Sequence, residues 1–315
     1  MAKKDRLKGI VLSLPTPTKG HYELDVETLR EHVTWLIDQG MVEGKGVLMG
    51  NSGLGAGYFL TREEYDQAMK AIVDAANGKV PTMMGVFDSC TKEAVRKAKL
   101  ASDYGVDFLQ VNPPHYMAPV DDEAFLHYSM INDATECGIM VYNTPWCAMN
   151  YEIKPKLMRR LIGLDNIVGA KWTSNDAYNY ITVLKEFHND INIIENGFLI
   201  TTAFKFGAKG YISLLGNIAP KAEIYLYTML QNGEYDKFDS EFRRLHAWRD
   251  VLGSAEDFSY EGVGEGAISA AIMEAVGKPV GDPMPPQRKI GKESVQMVRE
   301  ILAKNHVLET LASAA

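Results

Sequence analysis

The sequence predicts an α/β protein: a (β/α)8 TIM barrel followed by a C-terminal helical extension. Short apolar runs alternate with longer amphipathic segments eight times along the chain, and such alternation predicts right-handed βαβ units around a parallel sheet. The eight units cover about 230 residues, the usual length of a closed barrel. No Gly-x-Gly-x-x-Gly motif follows the first strand, so an open dinucleotide-binding sheet is disfavoured.

The predicted strands are short apolar runs bounded by turn residues. In order they are Gly9–Leu14, Gly46–Met49, Val80–Val86, Asp107–Val111, Gly138–Tyr142, Ile167–Lys171, Ile191–Glu195 and Gly210–Ser213. The helices between them have apolar residues three or four positions apart. They are predicted at Asp25–Gln39, 61–78, Thr91–Tyr104, Asp121–Glu136, Lys154–Ile162, Asp176–His188 and Leu199–Phe206. Thr61 and Glu64 form a capping-box pattern at the start of the second helix, and an eighth helix follows Pro220.

The chain changes character after Gly233, where strand patterns give way to helical patterns separated by segments rich in Pro and Gly. The helices of this tail are predicted at Glu234–Leu252, Gly262–Val276 and Glu293–Ala303. The sequence therefore predicts two domains. A barrel catalytic domain occupies residues 1–233, and a helical bundle at residues 234–315 packs on it.

The composition excludes several classes of partner. The 315 residues carry a net charge of -8, which argues against a nucleic acid or an anionic membrane as the main partner. No apolar run is long enough for a transmembrane helix, and the N-terminus lacks the apolar core and cleavage site of a signal peptide. The three cysteines, Cys90, Cys137 and Cys147, are dispersed without Cys-x-x-Cys spacing. We therefore expect reduced thiols, a cytoplasmic protein, and neither a metal nor a cofactor.

The most informative residue is Lys171, which ends the apolar run Ile167–Lys171. Lysine is rarely buried, because its charge is costly to remove from water unless it is paired or neutral. Burial favours the neutral amine, which can attack a carbonyl carbon and form a Schiff base. The alternative is a lysine that bends outward to solvent where the strand ends. Active sites of (β/α)8 barrels lie at the carboxyl ends of the strands, and this favours the chemical role.

Two further strand ends place polar groups on the same face of the barrel. Tyr142 ends the strand before that of Lys171, and a tyrosine beside a Schiff-base lysine can act as a general acid and base. The second strand ends in a Gly-rich turn, Asn51-Ser52-Gly53, whose backbone N–H groups can hold a carboxylate. Taken singly, Tyr142 could be an aromatic residue of the barrel rim and the glycines could only form a turn. The agreement of three strand ends favours a shared site.

Together these motifs resemble the dihydrodipicolinate synthase/N-acetylneuraminate lyase family, the pyruvate-dependent class I aldolases. The segment Gly169–Ser174 resembles the family's Gly-x-Lys Schiff-base segment, and Val141–Pro145 resembles its Tyr-Asn-x-Pro motif. The turn Gly50–Gly53 resembles the family's Gly-[Ser/Thr]-Thr-Gly-Glu loop. The tail segments Glu261–Gly266 and Pro279–Pro286 resemble the family's C-terminal region.

The resemblance implies roles for individual residues. Lys171 is expected to form the Schiff base and Tyr142 to transfer protons. Tyr116 resembles a relay tyrosine lent by a neighbouring subunit, which implies a dimer within a homotetramer, a dimer of dimers. Contacts to the substrate, a small 2-oxo acid of the pyruvate type, are expected from Asn51, Ser52, Gly53, Leu54, Trp146, Cys147, Thr173, Gly197, Ile212 and Ser213.

Several positions depart from the family pattern and bear on the substrate. Asn51 replaces a hydroxyl residue of the proton relay, although Ser52 keeps a hydroxyl at the next position. Leu54 replaces the usual Glu of the loop, which removes a charge near the site. Cys147 stands where dihydrodipicolinate synthases have an arginine that binds a carboxylated aldehyde. Apolar residues follow Gly197, where sialic acid lyases have acidic residues that bind sugar hydroxyls.

These departures predict a pocket lined by apolar and aromatic side chains. The residues concerned are Leu54, Tyr58, Phe59, Trp146, Cys147, Met149, Leu199 and Leu214. Such a lining suits an apolar or aromatic aldehyde better than a polyhydroxy sugar. In the alternative, several of these side chains face the barrel wall or a subunit interface.

The predicted function is a lyase that makes or breaks a carbon–carbon bond between pyruvate and an aldehyde. A dehydratase or hydratase-aldolase is the close alternative, because loss of water and aldol cleavage share the enamine intermediate. An aldolase for 2-keto-3-deoxy sugar acids, a condensation like that of dihydrodipicolinate synthase, and a non-catalytic barrel that binds a 2-oxo acid also remain open. A flavin or nicotinamide oxidoreductase is disfavoured by the missing cofactor loop.

Overall fold

The computed structural model describes residues 3–249 and 264–309, and its centre is a closed barrel of eight parallel strands. The strands are β1 (Gly9–Ser13), β2 (Gly46–Gly50), β3 (Thr82–Val86), β4 (Phe108–Val111), β5 (Gly138–Asn143), β6 (Ile167–Trp172), β7 (Asn192–Glu195) and β8 (Gly210–Ser213). Each strand pairs with the strands before and after it, and β8 pairs with β1. The prediction of a (β/α)8 barrel is confirmed.

Helices follow the strands and pack against the outer face of the barrel. They are α1 (Val26–Asp38), α2 (Arg62–Ala76), α3 (Thr91–Asp103), α4 (Asp121–Asn132), α5 (Pro155–Leu161), α6 (Ala177–Phe187), α7 (Ile200–Lys205) and α8 (Pro220–Gln231). The described part of the C-terminal extension adds α9 (Tyr235–Leu245), α10 (Glu265–Ala275) and α11 (Lys292–Lys304). None of the helices in the described residues is long and apolar enough to cross a membrane.

Most predicted boundaries lie close to those of the structure, and the larger differences have local causes. The predicted helix Asp121–Glu136 ends instead at Asn132. The side-chain oxygen of Asn132 accepts a hydrogen bond from the N–H of Asn166 (3.0 Å), and its carbonyl accepts one from Asn166 Nδ2 (3.2 Å). The chain is thereby tied to the start of β6 before a further helical turn can form. The capping box at Thr61, in contrast, is present as predicted.

The predictions for the tail are tested only in part. The predicted helix Glu234–Leu252 ends at Leu245, and its residues 250–252 lie outside the described residues. Residues 261–263, which belong to the segment Glu261–Gly266 that resembles the family's C-terminal region, also lie outside them. The helix predicted from Gly262 begins at Glu265 within the described part.

The interior of the barrel is packed with apolar side chains. They come from alternate positions of the strands and from the N-terminal turn: Leu7, Val11, Val47, Met49, Met83, Phe108, Met140, Val168, Ile194 and Ile212. The intervening strand residues face outward and join a larger core with the helices. Because this packing fills the barrel interior, a ligand can enter only at an end of the barrel.

An irregularity in the pairing of β5 and β6 decides which way Lys171 points. Ile139 pairs with Ile167, but the next residue, Met140, pairs with Gly169, so Val168 is an additional residue in β6. Val168 faces the interior, whereas Ala170 belongs to the outer core. An extra residue reverses the alternation of side chains in a strand. Lys171 therefore points into the barrel, next to its pairing partner Tyr142.

Closure of the barrel at β1 depends on Gly9, and this yields a stability prediction. Gly9 has a φ of +88°, and a Cβ atom there would lie 2.3 Å from the carbonyl oxygen of Lys45. Gly105 also has a positive φ, +78°, but nothing lies within 4 Å of its Cβ position. We expect Gly9→Ala to lower the free energy of unfolding by about 3 kcal/mol or more, since it adds a backbone clash to the unfavourable φ.

The matched variant Gly105→Ala should cost only about 1 kcal/mol, because it meets the conformational penalty without the clash. The comparison is made by urea denaturation of both variants. Equal losses of stability in the two variants would contradict the close approach of the backbone at Gly9.

Candidate active site

Lys171 is a buried amine at the carboxyl end of β6. Its residue is 9% exposed, and its Nζ lies 4.4 Å from the centre of the Tyr142 ring. Burial lowers the pKa of Lys171, and the negative charge of Glu265 opposes that effect most strongly. A lysine with a lowered pKa has a larger neutral fraction at a given pH, and the neutral amine is the nucleophile.

Tyr142 is a buried phenol that remains protonated. Its ring packs edge-on against Phe87, with the ring centres 5.4 Å apart, and its hydroxyl donates to Cys147 Sγ at 3.4 Å. Burial raises the pKa of Tyr142 well above the ordinary value of 10.0, and the nearby Cys147 and Glu265 raise it further. The group is therefore a proton donor, and its weak thiol acceptor leaves the hydroxyl available to a substrate.

The turn after β2 holds the Asn51 side chain away from the lysine. Asn51 adopts a left-handed backbone conformation with φ of +51°, and its Nδ2 donates to the carbonyl of Tyr65 in α2 at 3.1 Å. Its amide is thus part of the contact between the turn and α2. Asn51 has no hydroxyl group and its amide is bound to Tyr65, so a proton relay cannot pass through this position.

The next two residues of the turn present backbone donors. The Oγ of Ser52 shares a hydrogen bond with Ser13 and accepts the N–H of Gly55 at 3.2 Å, so the hydroxyl is fixed in place. Within the described residues, the backbone N–H groups of Ser52 and Gly53 donate to no protein acceptor. Two adjacent unpaired N–H groups at a strand end are suited to binding a carboxylate.

The structure brings a carboxylate to this turn that the sequence reasoning did not assign to the site. Glu265, the first residue of α10, lies so close to Gly53 that a Cβ atom on Gly53 would be 2.6 Å from its Oε2. The neighbouring Leu54 stands where the family's loop has a glutamate. Its carbonyl accepts a hydrogen bond from Ser269 Oγ at 3.0 Å. The charge absent from position 54 is thus supplied by the C-terminal extension.

Three other residues predicted to contact the substrate differ from one another in their surroundings. Thr173 is buried, and its Oγ1 has no hydrogen-bond partner in the described residues. Ile212 faces the barrel interior. Ser213 faces outward and donates its hydroxyl to Glu223 at 2.6 Å, so its side chain is part of a buried polar contact behind the barrel wall. The expected contact of Ser213 with a ligand has no support from the direction of this side chain.

Gly197, at the end of β7, is held in a turn with φ of +92°. The carboxylate of Glu195 accepts the N–H groups of Gly197, Phe198 and Leu199. The carbonyl of Gly197 accepts a hydrogen bond from Arg249 Nη1 at 3.4 Å. Sequence reasoning missed Arg249, which brings a positive charge from the extension to the mouth of the barrel without any motif to mark it.

Aromatic side chains are exposed after β5 and β7, and the residues predicted to line the pocket differ in their exposure. Trp146 and Phe198 are 51% and 65% exposed, and their rings meet edge-on with centres 6.0 Å apart. Tyr58 is 44% exposed and contacts Phe59. Two of the remaining predicted residues differ: Leu214 is buried in the outer core, and Leu54 packs against that core.

Tyr116 lies apart from this group in the single chain. It follows β4 and is 83% exposed, a large aromatic surface for a residue with no covering contact. The role expected for it requires a second chain, so it remains a prediction. Among the described residues, no group of three or more His, Cys, Asp or Glu side chains is arranged to hold a metal.

The fold and the site together define a class of protein. A buried lysine with a lowered pKa, beside a protonated tyrosine at the carboxyl end of a (β/α)8 barrel, has the arrangement required of a Schiff-base lyase or class I aldolase.

Comparison with known proteins leads to the same class. Residues 6–302 match the model of the dihydrodipicolinate synthetase family. The chain is 28% identical over 305 residues to the 4-hydroxy-tetrahydrodipicolinate synthase of Methanopyrus kandleri, which covers 95% of this chain and 96% of that protein. The chain therefore belongs to the dihydrodipicolinate synthetase family, and it is an enzyme of the pyruvate-dependent lyase and aldolase type.

Solved structures share the fold at lower identity. Dihydrodipicolinate synthase from Aquifex aeolicus superposes with a TM-score of 0.84 at 22% identity, covering 96% of this chain and 98% of that chain. The sialic acid aldolase of Ruminococcus gnavus superposes with a TM-score of 0.83 at 16% identity, with the same two coverages. Proteins of two different activities thus share this barrel, and the substrate must be inferred from the site itself.

Proposed function

We propose that the protein makes or breaks a carbon–carbon bond between pyruvate and an aldehyde through a Schiff base on Lys171. The observation that carries the proposal is the contact of Lys171 Nζ with the Tyr142 ring, 4.4 Å from its centre, at the carboxyl end of the barrel. The lowered pKa of Lys171 supplies a neutral amine, and the raised pKa of Tyr142 supplies a proton donor.

The reaction begins when the Lys171 amine attacks the C2 carbonyl carbon of a 2-oxo acid. One proton of the attacking amine passes to the oxygen and Tyr142 donates a second, so the oxygen leaves as water and an iminium ion forms. In the cleavage direction the C3–C4 bond breaks, its electron pair neutralises the iminium as an enamine, and the aldehyde leaves. Protonation at C3 and hydrolysis then release pyruvate and the free lysine.

The carboxylate of the 2-oxo acid is expected at the turn after β2. The unpaired N–H groups of Ser52 and Gly53 support this assignment. Asn51 contributes the bent backbone of the turn, since its own amide is bound to Tyr65.

The aldehyde half is proposed to be apolar or aromatic. The exposed rings of Trp146 and Phe198, together with Tyr58, form a surface that an aryl group can contact edge-on or face-on. A sugar acid would leave several hydroxyl groups against this surface without partners, which is costly. A hydratase-aldolase that adds water to an unsaturated precursor before cleavage uses the same groups.

A second candidate is a substrate whose aldehyde half carries a carboxylate, as in the condensation catalysed by dihydrodipicolinate synthases. The observation that favours it is Arg249, which forms no ion pair with a carboxylate in the described residues and lies beside Gly197 at the mouth. A guanidinium is well suited to binding a carboxylate.

The functional unit is proposed to be a homotetramer in the cytoplasm. Tyr116 supports an assembly, because its exposed ring would be covered and brought to a neighbouring site in a dimer. The three free cysteines, of which only Cys90 is exposed, suit a reducing compartment.

The test is reductive trapping of the wild-type protein with pyruvate and sodium borohydride, followed by intact-mass measurement. We expect a mass increase equal to pyruvic acid less one oxygen atom, located on Lys171 by peptide mapping. Protein that gains no mass, or gains it at other lysines, would rule out the Schiff-base proposal. A screen of aryl, sugar-like and carboxylated 4-hydroxy-2-oxo acids, coupled to lactate dehydrogenase, then separates the substrate classes.

A further inference from the structure

The carboxylate of Glu265 lies over the turn that is proposed to bind the 2-oxo acid. A Cβ atom on Gly53 would lie 2.6 Å from Glu265 Oε2 and 3.8 Å from its Cδ, and apart from the adjoining Ser52 and Leu54 no other atom of the described residues is within 4 Å of that position. The space that a side chain at position 53 would fill is therefore occupied by this carboxylate. The absence of a side chain at Gly53 is what allows α10 to deliver it there.

Glu265 is close to every polar side chain of the site. Its charge is the strongest electrostatic influence on Lys171, and it also raises the pKa values of Tyr142, Tyr58 and Cys147. It nevertheless makes no direct ion pair with Lys171, since the carboxylate and the amine do not approach to contact distance. Lys171 and Glu265 thus influence each other through charge without direct contact.

The Glu265 carboxylate has no partner of its own. Within the described residues its oxygens form neither a hydrogen bond nor an ion pair, although the residue is half-buried. The other two buried glutamates near the barrel end are fully engaged: Glu195 accepts three N–H groups, and Glu223 accepts the hydroxyls of Tyr211 and Ser213. Because Glu265 is only half-buried and no donor in the described residues binds its oxygens, a ligand that brings a hydrogen-bond donor can bind this carboxylate.

We propose that Glu265 exchanges a proton with the C4 oxygen of a 4-hydroxy-2-oxo acid held as an iminium on Lys171. The inference rests on the proposed Schiff-base function. In the cleavage direction the Glu265 carboxylate takes the hydroxyl proton, and the O–H electron pair forms the C4=O bond of the aldehyde. The C3–C4 pair then moves to C3 and neutralises the iminium as an enamine. In the condensation direction the Glu265 carboxylic acid returns the proton to the aldehyde oxygen.

The surroundings of Glu265 suit both steps. Burial raises the pKa of Glu265, while the positive charge of Lys171 opposes the rise. A substrate carboxylate at Ser52 and Gly53 would raise it further by like-charge repulsion. A carboxyl group that titrates closer to neutral pH is effective both as an acid and as a base.

The proposal also divides the proton transfers between two residues. Tyr142 stays protonated and is placed against Lys171, where it serves the C2 oxygen and C3. Asn51, with its amide bound to Tyr65, cannot pass a proton from Tyr142 to C4. Glu265, which lies at Gly53 in the turn after β2, takes that role in the proposal.

The test compares Glu265→Gln with the control Glu274→Gln, which alters a partly exposed carboxylate of the same helix that pairs with Lys289. Each variant is assayed for borohydride trapping with pyruvate and for cleavage of the best 4-hydroxy-2-oxo acid from the screen. We expect Glu265→Gln to retain trapping but to lose about 10²–10⁴-fold in kcat, and to lose the acidic limb of the pH–kcat profile. Glu274→Gln should match the wild type.

A structural role for Glu265 is separated from a chemical one by rescue. Added formate should restore part of kcat in Glu265→Ala, since a small carboxylate can enter the vacated space and accept the proton. A Glu265→Gln variant that keeps trapping, kcat and the acidic limb would overturn the inference and leave the Schiff-base function intact. Failure of the wild type to be trapped by pyruvate would instead overturn the proposed function, and this inference with it.

Discussion

Replacement of Lys171 by methionine is expected to abolish trapping by pyruvate and to lower kcat by on the order of 10⁴-fold or more, because no other amine can form the covalent intermediate. The same variant should be more stable than the wild type. The pKa of Lys171 is lowered by burial, so protonation of the folded state is disfavoured, and an apolar side chain of similar size removes that cost. We expect a gain of roughly 1 kcal/mol or more at neutral pH.

The pH dependence has a defined sign. The lowered pKa of Lys171 means that the unfolded chain binds this proton more tightly than the folded chain, so the wild type gains stability as the pH rises toward 10.5, the ordinary lysine value. The gain of Lys171→Met over the wild type should therefore shrink at alkaline pH. The rate of trapping of the wild type should rise with pH, with a midpoint below 10.5, and then level off.

The matched control is Lys99→Ala, which removes an exposed lysine that forms a surface ion pair with Asp103. Such pairs contribute about 0–1 kcal/mol, so activity and trapping should be unchanged. Activity that survives in Lys171→Met would show that the lysine is structural. Equal losses in both variants would show that the effect is not specific to the site.

Replacement of Tyr142 by phenylalanine is expected to lower kcat by about 10²–10⁴-fold while leaving stability nearly unchanged. The hydroxyl is lost as a proton donor, but its acceptor within the described residues is the Cys147 thiol at 3.4 Å, a weak partner. Trapping with pyruvate should be slower rather than absent, since the Lys171 amine remains in place. The measurements are steady-state kinetics, the trapping rate and thermal unfolding.

Tyr128→Phe is the matched control for this variant. Tyr128 is also buried and donates to the carbonyl of Val111 at 2.7 Å. Loss of that bond leaves a buried acceptor without a partner, which costs about 1–3 kcal/mol, with kcat unaffected below the unfolding transition. Tyr142→Phe is thus expected to lower kcat with little change in stability, and Tyr128→Phe to lower stability with little change in kcat. If Tyr142→Phe loses stability instead of kcat, the tyrosine is a packing residue.

Much of the fold was accessible from sequence because its cause is local. The strands are short apolar runs, and the capping box of Thr61 and Glu64 forms as the residue types dictate. Even the helix that ends early, at Asn132, does so through contacts with Asn166, a residue from another part of the chain. The errors therefore occur where a distant residue competes for a local backbone group.

The candidate site was accessible only in part. Lys171 and Tyr142 were found because strand ends mark the reactive face of a barrel. The direction of the Asn51 amide depends on a carbonyl in α2, and that of Ser213 on Glu223 in α8. Side-chain direction at a strand end follows the neighbouring elements, and residue type alone does not reveal it.

The sequence by itself determined the barrel, the order of its strands and the position of Lys171 near the end of a strand, because periodicity and strand ends are properties of neighbouring residues. Tertiary structure decided the rest. The extra residue Val168 turns Lys171 inward, and the contact of Ser269 with Leu54 joins residues 215 positions apart. That contact brings Glu265 to Gly53. Which charges surround the lysine depends on how the extension packs on the barrel. Local sequence patterns do not predict that packing.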